Sequence, residues 1–297
     1  MKPGMIYIRQ IIITVFLLNC YQNNVFSQGT DSISSKRPGF FIGISFEPTQ
    51  SQIFNEGTLS VSELLSSKRK SFFGTMEFGF LFTKYIGLSS GIGINSYKSQ
   101  LILAAYQNNF NSIDSENESY EMRVSGSNIQ EEQTINFLSI PLCLYLRIPF
   151  NETFGLFLKT GVNLAVPINN HYKSSGTFTY KGYYPAYNIL LENIPVYGFV
   201  NDKSIVSVGS MNLKPLDFNT IASAGFDIYI VKKIQIAVAA SYSKSLLNKS
   251  SSSISDYSSL EKFQLSTGAD HINSFMGGSS KVTTQSMGLD ITLKFYL

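Results

Sequence analysis

Charge is scarce in this chain. Asp, Glu, Lys and Arg make up 14% of its residues, against about a quarter in ordinary soluble proteins. A water-facing surface of this size would want more, so a conventional soluble domain is disfavoured. Cysteine is limited to Cys20 and Cys143, histidine to His171 and His271, and no Cys/His spacing suggests a metal site. Asp270-His271 is the nearest approach to an acid–imidazole pair, but no Ser, Asp and His constellation can be assembled by spacing. No Gly-rich phosphate loop follows a strand and opens a helix. After the first 27 residues no apolar run reaches about 18 residues, which excludes a transmembrane helix. The net charge of +3 offers no footprint for nucleic acid. No cofactor is implied.

The N-terminus is set apart from the rest. Lys2 and Arg9 precede the short apolar run Ile11 to Leu18, and Val25 and Ser27 suit a cleavage site before Gln28. Residues 1–27 are therefore expected to be a secretory signal peptide. A rival reading takes Leu17-Leu18-Asn19-Cys20 as a lipoprotein box with Cys20 lipidated, against which Asn19 stands where a small residue is usual. Processing at Gln28 removes two cations and leaves about +1. Cys143 is then the one cysteine, so no disulfide can form within the chain. Residues 28–37 are expected to form a short periplasmic segment and 38–297 the folded body.

What the body has is alternation. Eight stretches of roughly ten residues carry apolar side chains at every second position. Phe40, Ile42, Ile44 and Phe46 mark the first, Phe72, Met76, Phe78, Phe80 and Phe82 the second, and Ile86, Leu88, Ile92 and Ile94 the third. Leu138 to Leu146, Leu156 to Val166, Phe218 to Ile230 and Ile234 to Tyr242 continue the pattern, and Met287 to Leu297 closes it. Pro141 removes one ladder donor from the fourth stretch, so a local bulge is expected there.

The connections alternate too. Turns of a few residues lie at Thr83-Lys84, Pro149-Phe150-Asn151 and Val231-Lys232-Lys233, whereas 48–70, 98–133, 167–217 and 244–281 are long. This is the asymmetry of an outer-membrane barrel, with short periplasmic turns, long extracellular loops and both termini periplasmic. A closed sheet of strands about 9–11 residues long leaves no backbone group unpaired in lipid. The expected fold is all-β: an eight-stranded antiparallel up-and-down transmembrane β-barrel in the bacterial outer membrane. A soluble ligand-binding barrel of the lipocalin type shares the alternation but turns its polar side to water. Here the polar faces are Gly, Ser, Asn and Ala with few charges, which suits a narrow lumen.

Three segments carry a family resemblance. The run Ile135-Asn136-Phe137-Leu138-Ser139-Ile140-Pro141-Leu142-Cys143-Leu144-Tyr145, the hairpin Thr220 to Ser243 and the closing GLDITLKFYL resemble the PorT-like outer-membrane β-barrel domain family, small OmpA/OmpX-type barrels. Ser139 stands where that family often has Glu, and Leu297 where many barrels end in Phe. The resemblance implies delivery by the barrel assembly machinery. It implies little chemistry, since some members serve secretion and gliding and most have no assigned activity.

Candidate sites follow from the pattern. Glu77, Arg147, Lys159, Asp227, Asp290 and Lys294 point into a lumen just wide enough to be filled by side chains, and are expected to form a neutral ion-pair network. Tyr172, Tyr180, Tyr183, Tyr184, Tyr187 and Tyr197 crowd the third long loop as candidate contacts for a surface glycan or protein. Their alternative is packing of the loop on itself or seating at the membrane interface. Lys68, Arg69 and Lys70 are candidate contacts for lipopolysaccharide phosphates, or a solvated cluster. Ser250 to Ser253 and Asp114 to Glu121 are expected to be mobile polar loops. The functional expectation is a non-enzymatic barrel, structural or binding and adhesive through its Tyr- and Ser-rich loops. The alternatives are a part in an envelope secretion or gliding machine, a small-solute pore, and a rim-located hydrolase.

Overall fold

In the computed structural model of the protein, residues 39–56, 64–231, 233–251, 261–262, 271–276, 279 and 281–297 are described. The stretch 1–27, expected to be a signal peptide, and the segment 28–37 lie outside them. In chain order the elements are β1 (Gly39–Glu56), β2 (Leu64–Leu81), β3 (Ile86–Ile113), β4 (Ser119–Pro149), β5 (Phe154–Tyr184), β6 (Ile189–Leu191), a single 3-10 turn (Pro195–Tyr197), β7 (Lys203–Gly209), β8 (Asp217–Val231), β9 (Ile234–Ser245), β10 (Glu261–Lys262), β11 (His271–Ile272) and β12 (Lys281–Tyr296).

Each long strand pairs antiparallel with its neighbours in sequence, and β12 returns to β1 with Phe41 opposite Tyr296. The result is a closed ring of eight strands. Closure is what lets every strand present an apolar outer face without leaving an open sheet edge. The small strands β6 and β7 add to the far part of β5. Two of the short turns are held by their own side chains. Thr83 Oγ1 accepts from the amides of Tyr85 and Ile86, both at 3.1 Å, and Asn151 Oδ1 accepts from those of Thr153 and Phe154, at 2.9 and 2.6 Å.

Faces sort as the alternation predicts. Ile44, Met76, Ile92, Ile140, Val162, Phe226 and Met287 are exposed on the outside, whereas Glu77, Ser139, Asn163, Asp227 and Asp290 are buried on the inside. An apolar belt around a polar interior is the reverse of a soluble barrel, and it is the arrangement lipid requires. Gly161 allows β4 and β5 to close within it, since a Cβ there would lie 2.0 Å from the Leu142 carbonyl oxygen.

Several expectations are corrected. The stretches 48–70, 98–133 and 167–217 are not predominantly loop. β3 spans 28 residues and β4 and β5 span 31 each, about three times what a bilayer needs. The barrel therefore continues well past the membrane. Asp114 to Glu121, expected to be a mobile loop, is a tight turn followed by the start of β4. Asp114 Oδ1 accepts from the amides of Glu116 and Glu118, both at 2.9 Å, and Tyr120 is buried. Of Ser250 to Ser253, residues 252 and 253 lie outside the described residues, and Ser250 is buried. Pro141 produces no bulge either: the β3–β4 register runs unshifted past it, and Ser90 Oγ donates to its carbonyl at 2.9 Å. Irregularities fall instead at Lys68/Phe73, Ser127/Gln130, Asn136/Phe137 and Tyr229/Val231.

The break near Asn128, which adopts a positive φ of 52°, has a packing role. Below it the odd positions of β4 from Ile129 to Ser139 face inward; above it the even ones from Tyr120 to Gly126 do. The break lets Tyr120, Met122 and Val124 join Leu101, Phe178 and Tyr180 in an apolar core that fills the extension.

Candidate functional site

The six lumen charges are brought inside the barrel, but as two groups and one separate cation. Toward the short-turn end, Arg147 grips Asp227 in bidentate fashion at 2.7 to 2.9 Å, and the Tyr145 hydroxyl donates to the same carboxylate at 2.8 Å. At mid-height Lys159 Nζ lies 3.1 Å from Asp290 Oδ2 and 3.8 Å from Glu77 Oε1, linking β5 across the lumen to β12 and β2. Thr292 Oγ1 donates to the other Asp290 oxygen at 2.8 Å. Lys294 makes neither contact. Its ammonium sits over the rings of Tyr145, Phe41 and Phe157 at 4.1, 4.9 and 5.5 Å, an aromatic cage for a cation.

Glu47 was not in the expected network, yet it faces the same space and accepts from Ser241 Oγ. Its position on the polar face of β1 was the available signal. A chamber of about 60 Å³ beside Lys159, bordered by Ser45, Asn163 and Ser223, suits a few water molecules and not a solute path. Charges and rings together fill the cross-section, which rigidifies the span; one partner lost from the Arg147–Asp227 pair would leave a buried, unpaired charge.

The tyrosines divide. Tyr172, Tyr180 and Tyr184 are buried, so these three are core residues of the extension and not free contacts. The reason is the long continuation of β5, whose inward positions they occupy. Tyr183 is half-buried beneath the Arg123 guanidinium at 4.2 Å. Tyr187 and Tyr197 are exposed. They border an open cleft of about 200 Å³ with Asp114, Glu116 and Glu118 at the tip of the extension. Tyr187 is fixed by donating to Glu118 Oε1 at 2.6 Å, and Tyr184 by donating to Asp114 Oδ2 at 2.9 Å. The amides of the turn, with the Tyr184 hydroxyl, hold the Asp114 carboxyl below its usual range, whereas the bond to Glu118 pushes the Tyr187 phenol up.

One functional-looking group escaped the sequence altogether. Glu131 is fully buried inside the extension and accepts from Ser174 Oγ at 2.6 Å, Gln133 Nε2 at 2.6 Å, Ser274 Oγ at 2.8 Å and the Phe275 amide at 3.1 Å. Burial pushes its carboxyl above the ordinary range in spite of these donors. The segment 271–276 is thereby drawn into the barrel mouth, where Ile272, Phe275 and Met276 are buried. His271 Nε2 lies 3.0 Å from the Tyr172 hydroxyl, and Asp270 lies outside the described residues. Nothing local in the sequence reveals this anchor, since apart from Gln133 on the same strand its donors come from β5 and from the segment 271–276, both distant in sequence.

Lys68, Arg69 and Lys70 are exposed on the outer wall, directly above the apolar belt. Arg69 bonds Gln100 and lies 3.6 Å from Glu132. Among the described residues no cluster of three or more His, Cys, Asp or Glu side chains is placed to hold a metal.

Comparison with known proteins adds a family and a set of barrels. Residues 26–252 match the model of the outer membrane protein beta-barrel domain. Among solved structures, the chain is similar to OprG from Pseudomonas aeruginosa, with 14% identity, 90% of this chain and 99% of that one covered, and a TM-score of 0.39. It is also similar to Ail of Yersinia pestis in complex with the heparin analogue sucrose octasulfate, with 11% identity, 86% and 99% coverage and a TM-score of 0.32. The outer membrane protease OmpT of Escherichia coli gives 11%, 90% and 99%, and 0.35. Similarity at this level says nothing of ligand or activity. No curated protein matches the sequence.

Proposed function

The chain belongs to the outer membrane protein β-barrel domain family, and from that premise we propose that it is a non-enzymatic surface-binding protein whose rigid extension carries a docking site for another protein. The observation that carries this reading is an apolar patch where no lipid can cover it. Tyr187, Ile189, Leu190, Val196 and Tyr197 are all exposed, Val196 at 87%. From Ile94 at the edge of the belt to Asp114 at the tip, β3 runs about 20 residues, on the order of 50 Å of height for a tilted strand. Contiguous apolar surface in water marks an interaction site. Asp114, Glu116 and Glu118 on its border favour a partner that offers basic groups around an apolar centre. Fixed tyrosines lose little entropy on binding. The PorT-like resemblance would place such a partner within an envelope secretion assembly.

The test is crosslinking from the tip in intact cells, with a photoreactive group at position 190, followed by affinity measurement on the captured protein. Tyr187→Ala with Tyr197→Ala is expected to weaken binding at least tenfold, as loss of exposed aromatic anchors does. A captured partner that binds the double variant as tightly as the parent, or a glycan array giving the specific signal instead, would overturn the proposal.

A further inference from the structure

A second site lies on the outer wall, independent of the tip. Between the apolar belt and the extension, five neighbouring strands place polar side chains in one row. Gln50 on β1 pairs with Lys70 on β2, Lys98 on β3 pairs with Thr134 on β4, and Thr134 pairs with His171 on β5. The irregularity between Lys68 and Phe73 sets Lys68 opposite Ser99, beside this row. Lys68, Arg69, Lys70, Lys98 and His171 thereby border one open groove of about 690 Å³. The basic triplet is contiguous in the sequence, but Lys98 and His171 join it only through strand pairing.

Its charge is unbalanced. Among the described residues Glu132 is the one carboxylate lining the groove, and Arg69 takes it up. Among the described residues no carboxylate pairs with Lys68, Lys70 or Lys98. Like charges held together on neighbouring strands repel unless an anion lies among them.

Its height selects the anion. Lys70 stands two residues beyond the exposed Phe72, and Lys98 four beyond the exposed Ile94, which is about 7 to 13 Å along the strands. A lipid whose acyl chains lie against Phe72, Ile94 and Leu138 carries its phosphates at that level. We propose that this groove is a binding site for the phosphorylated headgroup of an outer-leaflet lipid, with Lys68, Lys70 and Lys98 as phosphate ligands and His171 as a hydrogen-bond donor at its edge. The bound lipid neutralises the row and fixes the depth at which the barrel sits.

The experiment uses the full barrel in detergent micelles, titrated with bisphosphorylated lipid A and with the same lipid after phosphatase treatment, and read by native mass spectrometry. Each cation near an anionic lipid surface is worth about fivefold in affinity. The triple variant Lys68→Gln, Lys70→Gln, Lys98→Gln is therefore expected to bind the phosphorylated lipid about a hundredfold more weakly. Lys-to-Arg replacements should keep the affinity, and Lys84→Gln, on a periplasmic turn, should leave it unchanged. Gel mobility before and after heating shows that each variant has folded. Equal binding of the dephosphorylated lipid, or an unchanged affinity in the folded triple variant, overturns the proposal. Displacement of the lipid by an equal concentration of inorganic phosphate would do the same, and would make the groove a soluble-anion site.

Discussion

One set of strands builds two regions of opposite character. In the membrane-spanning half the outside is apolar and the inside holds Glu77, Arg147, Lys159, Asp227 and Asp290. In the extension the inside is apolar, with Leu101, Met122, Phe178 and Phe275, and the outside carries Arg123, Lys173 and Lys181. The same backbone serves both because a strand's two faces are independent, so the choice of which face is apolar can be inverted partway along. On β5 the inversion follows the irregularity at Pro167, after which Tyr172, Ser174, Phe178 and Tyr180 point inward. Solvent dictates the difference: lipid accepts no unpaired polar outer face, whereas water drives the extension to bury its apolar one.

The two halves should fail in different ways. The largest effect is expected inside the membrane. Arg147→Leu leaves Asp227 buried without its partner, and breaking such a pair costs about 3–5 kcal/mol. Urea unfolding in lipid vesicles measures it, and a double replacement by apolar residues of similar volume should recover most of the loss. A next, somewhat smaller effect belongs to the extension. Phe275→Ala removes a buried ring and should cost about 3 kcal/mol locally, read as faster proteolysis around 271–276. Urea unfolding of the spanning half should be unchanged. If both halves weakened together, the division drawn between them would be wrong.

Titration sharpens the contrast, with opposite signs at two carboxyls of the extension. Glu131 is raised above its ordinary value by burial. Its contribution to stability is thus fully present below the ordinary carboxylate value and is lost as pH rises through the raised one. Asp114 is lowered by the amides it caps. Its contribution is present above the ordinary aspartate value and disappears as pH falls through the depressed one. Hydrogen exchange, corrected for intrinsic rates, should therefore show residues 271–276 better protected as pH falls from neutral, and the 114–118 turn less protected at strongly acid pH. The smallest effect is expected from Tyr187→Phe, which removes one exposed hydrogen bond to Glu118 and should loosen the tip cleft without altering the fold, as exchange at 186–190 would record.

Legibility followed the same boundary. The spanning strands could be read because lipid enforces strict alternation, so Met287 to Leu297 or Leu138 to Leu146 declared their outer face unaided. The short turns were legible from their composition. In the extension, alternation exists but changes parity at Asn128 and Pro167. Polar composition there resembled loop, and half the candidate contact tyrosines proved to be interior.

By itself the sequence determined a closed barrel, its location and the charges inside it, because period-two patterning under the constraint of lipid has one solution. Only the tertiary structure decided which charges pair, that the barrel continues past the membrane, that Glu131 anchors a distant segment, and that Lys98 and His171 stand beside Lys68 and Lys70. Those facts depend on register between strands remote in sequence, and no local pattern carries register.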